Sequence, residues 1–343
     1  MAYTTINKSS EHFNTKLYTG NGTLGHAITG VGHQPDFVWI KNRDQNNRHT
    51  LHDVVRGVTK RLRTDGTDAE DTTDPFTSFD SDGFTLNSTG GGMNGNTENY
   101  VSWNWKAGGA GSSNTDGSIT STVSANTTSG FSIVQYTGNG TAGATFGHGL
   151  GVMPSHIIIK RTSSSEAWVN WHSTFSALQY LRLYQNTAIE SSTNLFNNTL
   201  PTSSVVSLGT GGFTNTNGET YIAYCFAEKT GYSKFGSYVS NNNADGTFVY
   251  TGFKPTFLLL KNVTTANTGW ELYDNKRTPN NVANLFLRPN TTDADISSDR
   301  LDILSNGFKL RQVGDTNANS DTIIYMAFGQ SLVGSNNIPC TAR

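Results

Sequence analysis

The chain has 343 residues, a length typical of two or three domains. Its net charge is −2, from 24 basic and 26 acidic residues, which excludes the dense basic surface that non-specific nucleic-acid binding requires. Charged residues are only 15% of the chain, whereas Gly occurs 36 times and aromatic residues reach 11%, a mixture that favours short strands joined by turns.

The first residues, MAYTTINKSSEHF, contain no apolar stretch, and the apolar runs elsewhere are short. We therefore expect no secretory signal and no membrane span. Cys225 and Cys340 are too few for a disulfide framework. Because Cys225 lies inside an apolar run, we expect it to be a buried free thiol in a chain made in a reducing cytosol.

Three segments share one pattern, in which a tyrosine is followed by a loop, a proline, four mostly apolar residues and a lysine. The pattern comprises Tyr18, Pro35 and Lys41, then Tyr136, Pro154 and Lys160, then Tyr238, Pro255 and Lys261. The gaps from Tyr to Pro are 17, 18 and 17 residues, and the gap from Pro to Lys is 6 each time. Each copy closes on an aromatic residue, 70, 72 and 73 residues after its proline. Such constant spacing indicates an internal repeat of roughly 100 residues.

The repeat predicts how the chain is divided. The predicted segments are an N-terminal arm (1–12), a first repeat (13–107), a Gly/Ser-rich linker with a short strand within it (108–130), a second repeat (131–235), a third repeat (236–332) and a C-terminal tail (333–343). The linker sequence AGGAGSSNTDGS is typical of a flexible connection, whereas the second and third repeats meet with almost no spacer. We therefore expect the second and third repeats to pack rigidly and the first repeat to be more mobile.

Apolar runs of 4–6 residues bounded by Gly, Asn, Asp or Pro predict strands rather than helices. The continuously apolar runs FVWI, HIII and FLLL predict central strands that are covered on both faces. The closing runs YVSWNW and YIAYCF alternate, which predicts strands with one face on a core, and the DGF and NGF triplets predict turns. The fold class is therefore all-β, with each repeat an antiparallel β-sandwich of jelly-roll or lectin-like type and the topology left open.

No motif of a nucleophile elbow, zinc protease, CxxC site or phosphate-binding loop occurs, so we predict no enzyme, no metal and no cofactor. Asp53, His172 and Asp274 lie 12, 12 and 13 residues after the lysine of their repeats, and we expect this position to hydrogen-bond a turn. His52 precedes Asp53, but neighbours in a strand point to opposite faces, so the two form a poor catalytic dyad.

An acidic run in the first repeat suggests calcium, because hard cations take oxygen ligands. The run consists of Asp65, Asp68, Glu70, Asp71 and Asp74, matched by Asp293, Asp295 and Asp299 in the third repeat and by Glu190 in the second. The spacing fits no known calcium loop, so a solvated acidic loop is the favoured interpretation.

Glycan binding is the more plausible chemistry, because sugar rings stack their CH faces on aromatic rings and hydrogen-bond to polar side chains. The candidate glycan-binding residues are Trp168, Trp171, Trp270 and Tyr273, with His49 and His52 at the same places in the first repeat. The competing interpretation is that these rings form the core of the sandwiches. The YTGNG loops at Tyr18 and Tyr136 are best explained by turn chemistry.

Long strings of this sequence resemble a known family. They include AYTTINKSSEHFNTKLYTGNG, HQPDFVWIKNRD, LHDVVRGVTK, FTSFDSDGFTL, NTENYVSWNWKAGG and AYCFAEKTGYSKFGSY. The chain resembles a family of uncharacterised virion structural or fibre-like proteins of marine cyanophages and related marine tailed phages. The resemblance covers essentially the whole chain and implies a component of the viral particle, but it supplies no activity and no site residues.

The resemblance implies a virion protein made in the host cytoplasm. We expect a tail-fibre or tail-appendage component that contacts a host receptor or glycan. The alternative is a capsid decoration or tail structural protein that binds other virion proteins. A polysaccharide depolymerase is less favoured, because it would need a carboxylate pair facing one cleft. By analogy with phage appendages, we expect a homo-oligomer, namely a trimer.

Overall fold

The computed structural model describes residues 4–331, and strands dominate this part of the chain. All of the strand pairs named below are antiparallel. The one α-helix among the described residues is a single turn, α1 (Gly212–Asn215). No described helix is long and apolar enough to cross a membrane. The predicted all-β class is therefore confirmed for the described residues.

The strands fall into three sets in chain order. The first strand set contains β1 (Phe13–Thr19), β2 (His26–Thr29), β3 (Phe37–Asn42), β4 (Thr50–Asp53), β5 (Phe76–Asp80), β6 (Gly83–Leu86) and β7 (Asn99–Trp105). Two further strands, β8 (Ser112–Asn114) and β9 (Ser121–Asn126), follow it. The second strand set contains β10 (Phe131–Thr137), β11 (Ala144–Gly147), β12 (His156–Arg161), β13 (Trp168–His172), β14 (Gln179–Arg182), β15 (Glu190–Ser191), β16 (Val205–Leu208) and β17 (Thr220–Phe226). The third strand set contains β18 (Ser233–Val239), β19 (Phe248–Tyr250), β20 (Phe253–Asn262), β21 (Trp270–Asp274), β22 (Ala283–Phe286), β23 (Ile296–Leu304), β24 (Gly307–Leu310) and β25 (Thr322–Ser331).

The same strand order occurs in each set. The sheets run β1-β7-β3-β4, β10-β17-β12-β13 and β18-β25-β20-β21, the second of them extended by β14 and β15 on one side and by β9 and β8 on the other. Each set also has a second sheet, in the orders β2-β6-β5, β11-β16 and β19-β24-β23-β22. The runs FVWI, HIII and FLLL lie in β3, β12 and β20, which are interior strands with buried side chains, as predicted.

The closing strands differ from the prediction, because they are buried on both faces rather than one. In β7, Val101, Trp103 and Trp105 point to a core shared by all three sets, whereas Tyr100 points to a core within the first set. In β7, alternation in sequence therefore reflects two different cores, one on each side of the strand, and not a core on one side and solvent on the other.

The three sets meet at a common centre made of their closing aromatic residues. The ring centroids of Trp105 and Phe226 lie 6.4 Å apart, those of Trp105 and Phe328 lie 5.8 Å apart, and those of Phe226 and Phe328 lie 5.9 Å apart. Phe13 and Phe257 also contact Trp105, at 4.7 and 5.3 Å. Such ring pairs contribute about 0.5–1.5 kcal/mol each beyond the burial of apolar area.

The stretch 108–130, predicted to be a Gly/Ser-rich linker with a short strand within it, contains two strands and is part of a sheet. Within it, β8 pairs with β9, and β9 pairs with β10 of the second set. At its start, Ala107 and Gly109 donate backbone hydrogen bonds to the Asp36 carboxylate, at 2.8 and 3.1 Å. The stretch that joins the first set to the second is therefore paired along part of its length. Short polar strands of this kind lack the apolar run by which strands are usually recognised.

Cys225 is a buried free thiol, as predicted, and burial raises its pKa to about 12. Cys340 lies outside the described residues, as does the whole of the predicted C-terminal tail (333–343). The predicted N-terminal arm is described from Thr4 onward. Ile6 is buried in the shared core, and Ser9 donates a hydrogen bond from its hydroxyl to Gln330 Oε1 at 2.8 Å.

Candidate functional site

Each pair of strand sets meets in a junction, and one backbone hydrogen bond occurs at all three. We name the junctions by the sets that form them: the 1–3, 1–2 and 2–3 junctions. The shared bonds run from Asp295 N to Arg43 O at 2.9 Å (1–3), from Glu70 N to Thr162 O at 3.0 Å (1–2) and from Ile189 N to Val263 O at 3.0 Å (2–3). The junctions therefore have a common frame, and their side chains can be compared position by position.

An ion-pair network fills the 1–3 junction. Arg277 Nε contacts Asp274 Oδ2 at 2.7 Å and Arg277 Nη1 contacts Asp295 Oδ1 at 2.8 Å, while Arg43 pairs with the same Asp295 at 2.9 Å. Trp103 of the first set donates its indole N–H to Asp274 Oδ2 at 3.1 Å. Burial alone would raise the pKa of Asp274, but the charge of Arg277 and several hydrogen bonds hold it below the usual value.

The 1–2 junction repeats this arrangement. Arg56 Nε contacts Asp53 Oδ2 at 2.6 Å, and both side chains are fully buried. Tyr224 of the second set donates its hydroxyl to the same carboxylate at 2.8 Å. Glu70 lies 3.7 Å from Arg56 Nη1 and pairs with Lys60 at 2.9 Å. The buried guanidinium is therefore matched by carboxylates, and the charge of Asp53 contributes to the raised pKa of Arg56 against the effect of burial.

The 2–3 junction carries no such network, because uncharged residues stand at the equivalent positions. His172 replaces the aspartate, Phe175 replaces the arginine three residues later, and Ile189 and Val263 occupy the positions of the shared backbone bond. His172 Nε2 lies 3.3 Å from Tyr325 O. Burial lowers the pKa of His172 to about 4, so its ring is neutral near pH 7.

A groove of about 470 Å³ opens at the 2–3 junction. Phe175, Ala188, Ile189 and Val263 form its apolar lining. The remaining lining residues carry hydroxyl or amide groups; they are Thr174, Gln179, Ser237, Thr264 and Thr322. A smaller cavity of about 250 Å³ lies in the first set and is lined by Arg48, Arg61 and Arg63, among others.

The four aromatic residues considered for glycan binding are buried. The exposed fractions of Trp168, Trp171, Trp270 and Tyr273 are 0%, 1%, 1% and 0%, so no ring face is open to a sugar in this structure. Their polar atoms are bonded within the chain: Trp171 donates to Ser176 O at 3.2 Å and Tyr273 to Glu271 Oε2 at 2.7 Å. The structure thus corresponds to the competing interpretation, in which these rings form core.

Two of these rings, and His49 at the same place in the first set, also form hydrogen bonds across the junctions. Trp168 donates to Arg63 O at 2.8 Å, Trp270 donates to Arg182 O at 3.4 Å, and His49 Nε2 lies 3.1 Å from Arg288 O. The three acceptor arginines follow a leucine at matching places in their sets. This contact recurs at every junction. The Leu-Arg pair that occurs at the matching place in each set was the feature of the sequence that could have indicated it.

The position of Asp53, His172 and Asp274 bonds a turn, as predicted. Asp53 Oδ1 accepts from the backbone N–H groups of Val55 and Arg56 at 3.1 and 2.9 Å, and Asp274 Oδ1 makes the same bonds with its own turn. His172 Nδ1 lies 3.2 Å from Thr174 N. The same aspartates also bridge junctions, a role that the sequence analysis did not foresee.

The acidic run suggested for calcium lies among arginines rather than in an open loop. Arg48 pairs with Asp65 at 2.8 Å and with Asp68, while Arg61 pairs with Asp71 at 3.0 Å and with Asp74. Between residues 4 and 331, no group of three or more His, Cys, Asp or Glu side chains could hold a metal ion. The sequence analysis favoured a solvated acidic loop and did not predict that its carboxylates pair with arginines.

The YTGNG loops and their counterpart in the third set are held by buried asparagines that the sequence analysis missed. Asn94, Asn215 and Asn317 are fully buried, and each accepts a backbone N–H from the loop, at Asn21 (3.0 Å), Asn139 (2.9 Å) and Asn241 (3.3 Å). These bonds support turn chemistry for the loops rather than a ligand site.

The lysines of the repeat pattern are buried. Their ammonium groups bond to backbone carbonyls, with Lys41 Nζ 2.7 Å from Asn42 O and Lys261 Nζ 2.7 Å from Thr268 O. Lys160 Nζ crosses a junction to Thr67 O at 3.1 Å. Burial lowers the pKa values of Lys41, Lys160 and Lys261 to about 8, 7 and 8. We refer to these three residues as the buried lysines.

Comparison with family models decides the affiliation. A single model, described as a domain of unknown function (DUF7483), matches residues 8–331. The chain belongs to the DUF7483 family. The DUF7483 match spans all three strand sets, which agrees with the core that they share. A search of the curated proteins and a search of the solved structures each found no match.

Proposed function

We propose that the chain is a non-enzymatic structural protein of a phage virion, namely a tail-fibre or tail-appendage component that contacts the host surface. The observation that carries this proposal is the closure of three strand sets about one aromatic centre. A scaffold of this kind holds its loops rigidly, and a rigid scaffold with variable loops suits recognition of a surface. The strings that resemble marine phage virion proteins supply the context.

The finer architecture forms part of the proposal. We take the three sets to be diverged copies of one β-sandwich, because they share one strand order and because a hydrophobic cluster lies between the two sheets of the first set and of the third. The first sheets carry the closing aromatic residues through which the copies meet. The lectin-like or jelly-roll comparison made from the sequence stays a prediction.

One observation favours the alternative of a capsid decoration or tail structural protein. Three like units around a centre match a partner with threefold symmetry, and such a partner would be another virion protein. The homotrimer expected by analogy stays a prediction. Light scattering on the purified chain decides it, since a monomer has a mass of 37.1 kDa and a trimer three times that.

Fractionation of purified particles tests the proposal. Intact virions, detached tails and empty capsids would be separated on a density gradient and probed with an antibody against the full chain. The proposal expects the chain in the tail fraction and expects the antibody to reduce adsorption to host cells. The alternative expects normal adsorption in the presence of the antibody, with the chain in the capsid fraction if it decorates the capsid and in the tail fraction if it is a tail structural protein. A chain missing from all three fractions would refute both.

A further inference from the structure

We infer that the groove at the 2–3 junction is a binding site for a neutral saccharide. The inference deepens the proposed function, on which it rests, because a cell-surface saccharide is the kind of ligand that a host-contact protein recognises. It also replaces the four buried aromatic residues as the place where a sugar would bind.

The 2–3 junction differs from the other two junctions in the side chains that fill it. The 1–3 and 1–2 junctions are closed by buried arginine–aspartate pairs, each extended by a further carboxylate. At the 2–3 junction, Phe175 stands where those arginines stand and Ile189 stands where the further carboxylates stand. The 2–3 junction therefore contains an open space of about 470 Å³ where the other two junctions contain an ion-pair network.

The size and position of the groove are typical of a ligand site. Small-molecule sites occupy roughly 300–1,000 Å³ and occur preferentially where two structural units meet. The groove lies between β14 and its neighbouring loops in the second set and β18, β25 and the residues that follow β20 in the third, with lining residues from both sets. Gln179, Ser237 and Thr322 belong to strands, and the other six lining residues lie in the turns and loops beside strands.

The chemistry of the lining selects the ligand class. None of the nine residues that line the groove is charged, so an anionic or cationic ligand would bring a charge that this lining cannot pair. The lining combines apolar side chains with hydroxyl and amide groups. A neutral saccharide has the complementary surface, because its ring carries CH groups and hydroxyls side by side.

Several lining groups keep hydrogen-bonding capacity toward the groove. Thr264 Oγ1 accepts from Thr322 N at 3.0 Å, which leaves the hydroxyl hydrogen to donate. Gln179 Oε1 accepts from Ser176 N at 2.9 Å, which leaves the side-chain amide group to donate. Ser237 is exposed on β18 and adds a hydroxyl that can donate or accept.

Calorimetric titration of the purified full chain tests the inference. The probes are glucose, galactose, mannose and N-acetylglucosamine, the disaccharides cellobiose, lactose and maltose, and glucuronic acid as the charged counterpart. We expect at least one neutral saccharide to bind with one site per chain. We expect Ser237→Trp, which places a large ring in the groove, to weaken that binding at least tenfold.

Thr122→Trp is the matched control, because Thr122 is an exposed strand residue outside the groove. This variant should bind like the unmodified chain. If Ser237→Trp does not fold, as judged by its melting temperature, Ala188→Trp fills the same groove from the opposite set. The inference is overturned if no neutral saccharide binds, if glucuronic acid binds in preference, or if the folded groove variant binds as tightly as the unmodified chain.

The outcome is independent of where the chain resides in the particle. Loss of saccharide binding with the chain present in the tail fraction would remove the groove site and leave the proposed function standing. Saccharide binding by a chain that is missing from virions would refute the proposed function and leave the groove site standing.

Discussion

Replacement of Trp105 by alanine tests whether the three strand sets share one core. The indole is 1% exposed and contacts rings from all three sets, including Phe37, Phe226 and Phe328. Removal of a buried tryptophan costs about 3–5 kcal/mol, a large share of the roughly 5–15 kcal/mol by which proteins are usually stable. Because the cavity would border every set, we expect all three to lose stability together.

Hydrogen exchange measured by mass spectrometry resolves the effect by segment. For Trp105→Ala we expect faster exchange in peptides from β7, β17 and β25 alike, and one urea transition at a lower midpoint. Phe84→Ala is the matched control, since Phe84 is 0% exposed but lies in the core within the first set, stacked 4.9 Å from Phe76. Exchange that accelerates only in the first set for both variants would refute the shared core.

Four further predictions address the junctions and buried groups. Asp274→Ala leaves Arg277 with one fewer carboxylate in a buried site, and we expect a loss of about 3–5 kcal/mol in the free energy of unfolding, measured by urea denaturation. The buried lysines have folded pKa values of about 7–8 against about 10.4 in the unfolded chain, so the unfolded chain binds more protons in this range. The urea midpoint should therefore rise between pH 7.5 and 9.5, and Lys261→Met should reduce that rise. Burial, followed by the neighbouring His172, holds the pKa of His156 well below 6.5, so the folded chain loses stability as the pH falls below 6.5. His156→Phe, which installs the residue present at this position in the other two sets, should therefore melt higher than the unmodified chain at pH 5. In a Cys340→Ser background, Cys225 should stay unreactive toward a thiol reagent until guanidinium unfolds the chain, and rapid native labelling would contradict its burial.

The predictions that rested on apolar runs and turn triplets were the most successful. Continuous apolar runs identified interior strands, and the DGF triplet identified the turn between β5 and β6, where Gly83 has φ 151°. Both features are local: a strand covered on both faces must be apolar throughout, and a turn needs a residue that tolerates positive φ.

The junctions could not be predicted, because they depend on how distant segments are placed against one another. The sequence around Trp168 and Trp270 is the same whether these rings bind a sugar or pack against a neighbouring set. Only the structure shows that they donate hydrogen bonds to Arg63 O and Arg182 O. A partial signal existed. Arg56 and Arg277 each follow an aspartate by three residues, whereas Phe175 follows a histidine, and this contrast marks the junction that has no buried arginine–aspartate pair.

The linker shows that amino-acid composition alone did not predict the conformation of a segment. Its Gly and Ser content is typical of flexible chain, yet Ser112–Asn114 and Ser121–Asn126 are strands. Composition describes what a segment prefers when it is isolated. Pairing with β10, an edge that would otherwise be open, decides its conformation in the folded chain.

Cryo-electron microscopy of the intact virion, at a resolution that traces the chain, tests the central claim most directly. The account predicts density for the chain at a tail appendage, with the three closing aromatic residues in mutual contact and the 2–3 junction groove facing outward. Density at fixed sites of the capsid lattice, or a particle in which the chain cannot be traced anywhere, would contradict a role in host contact.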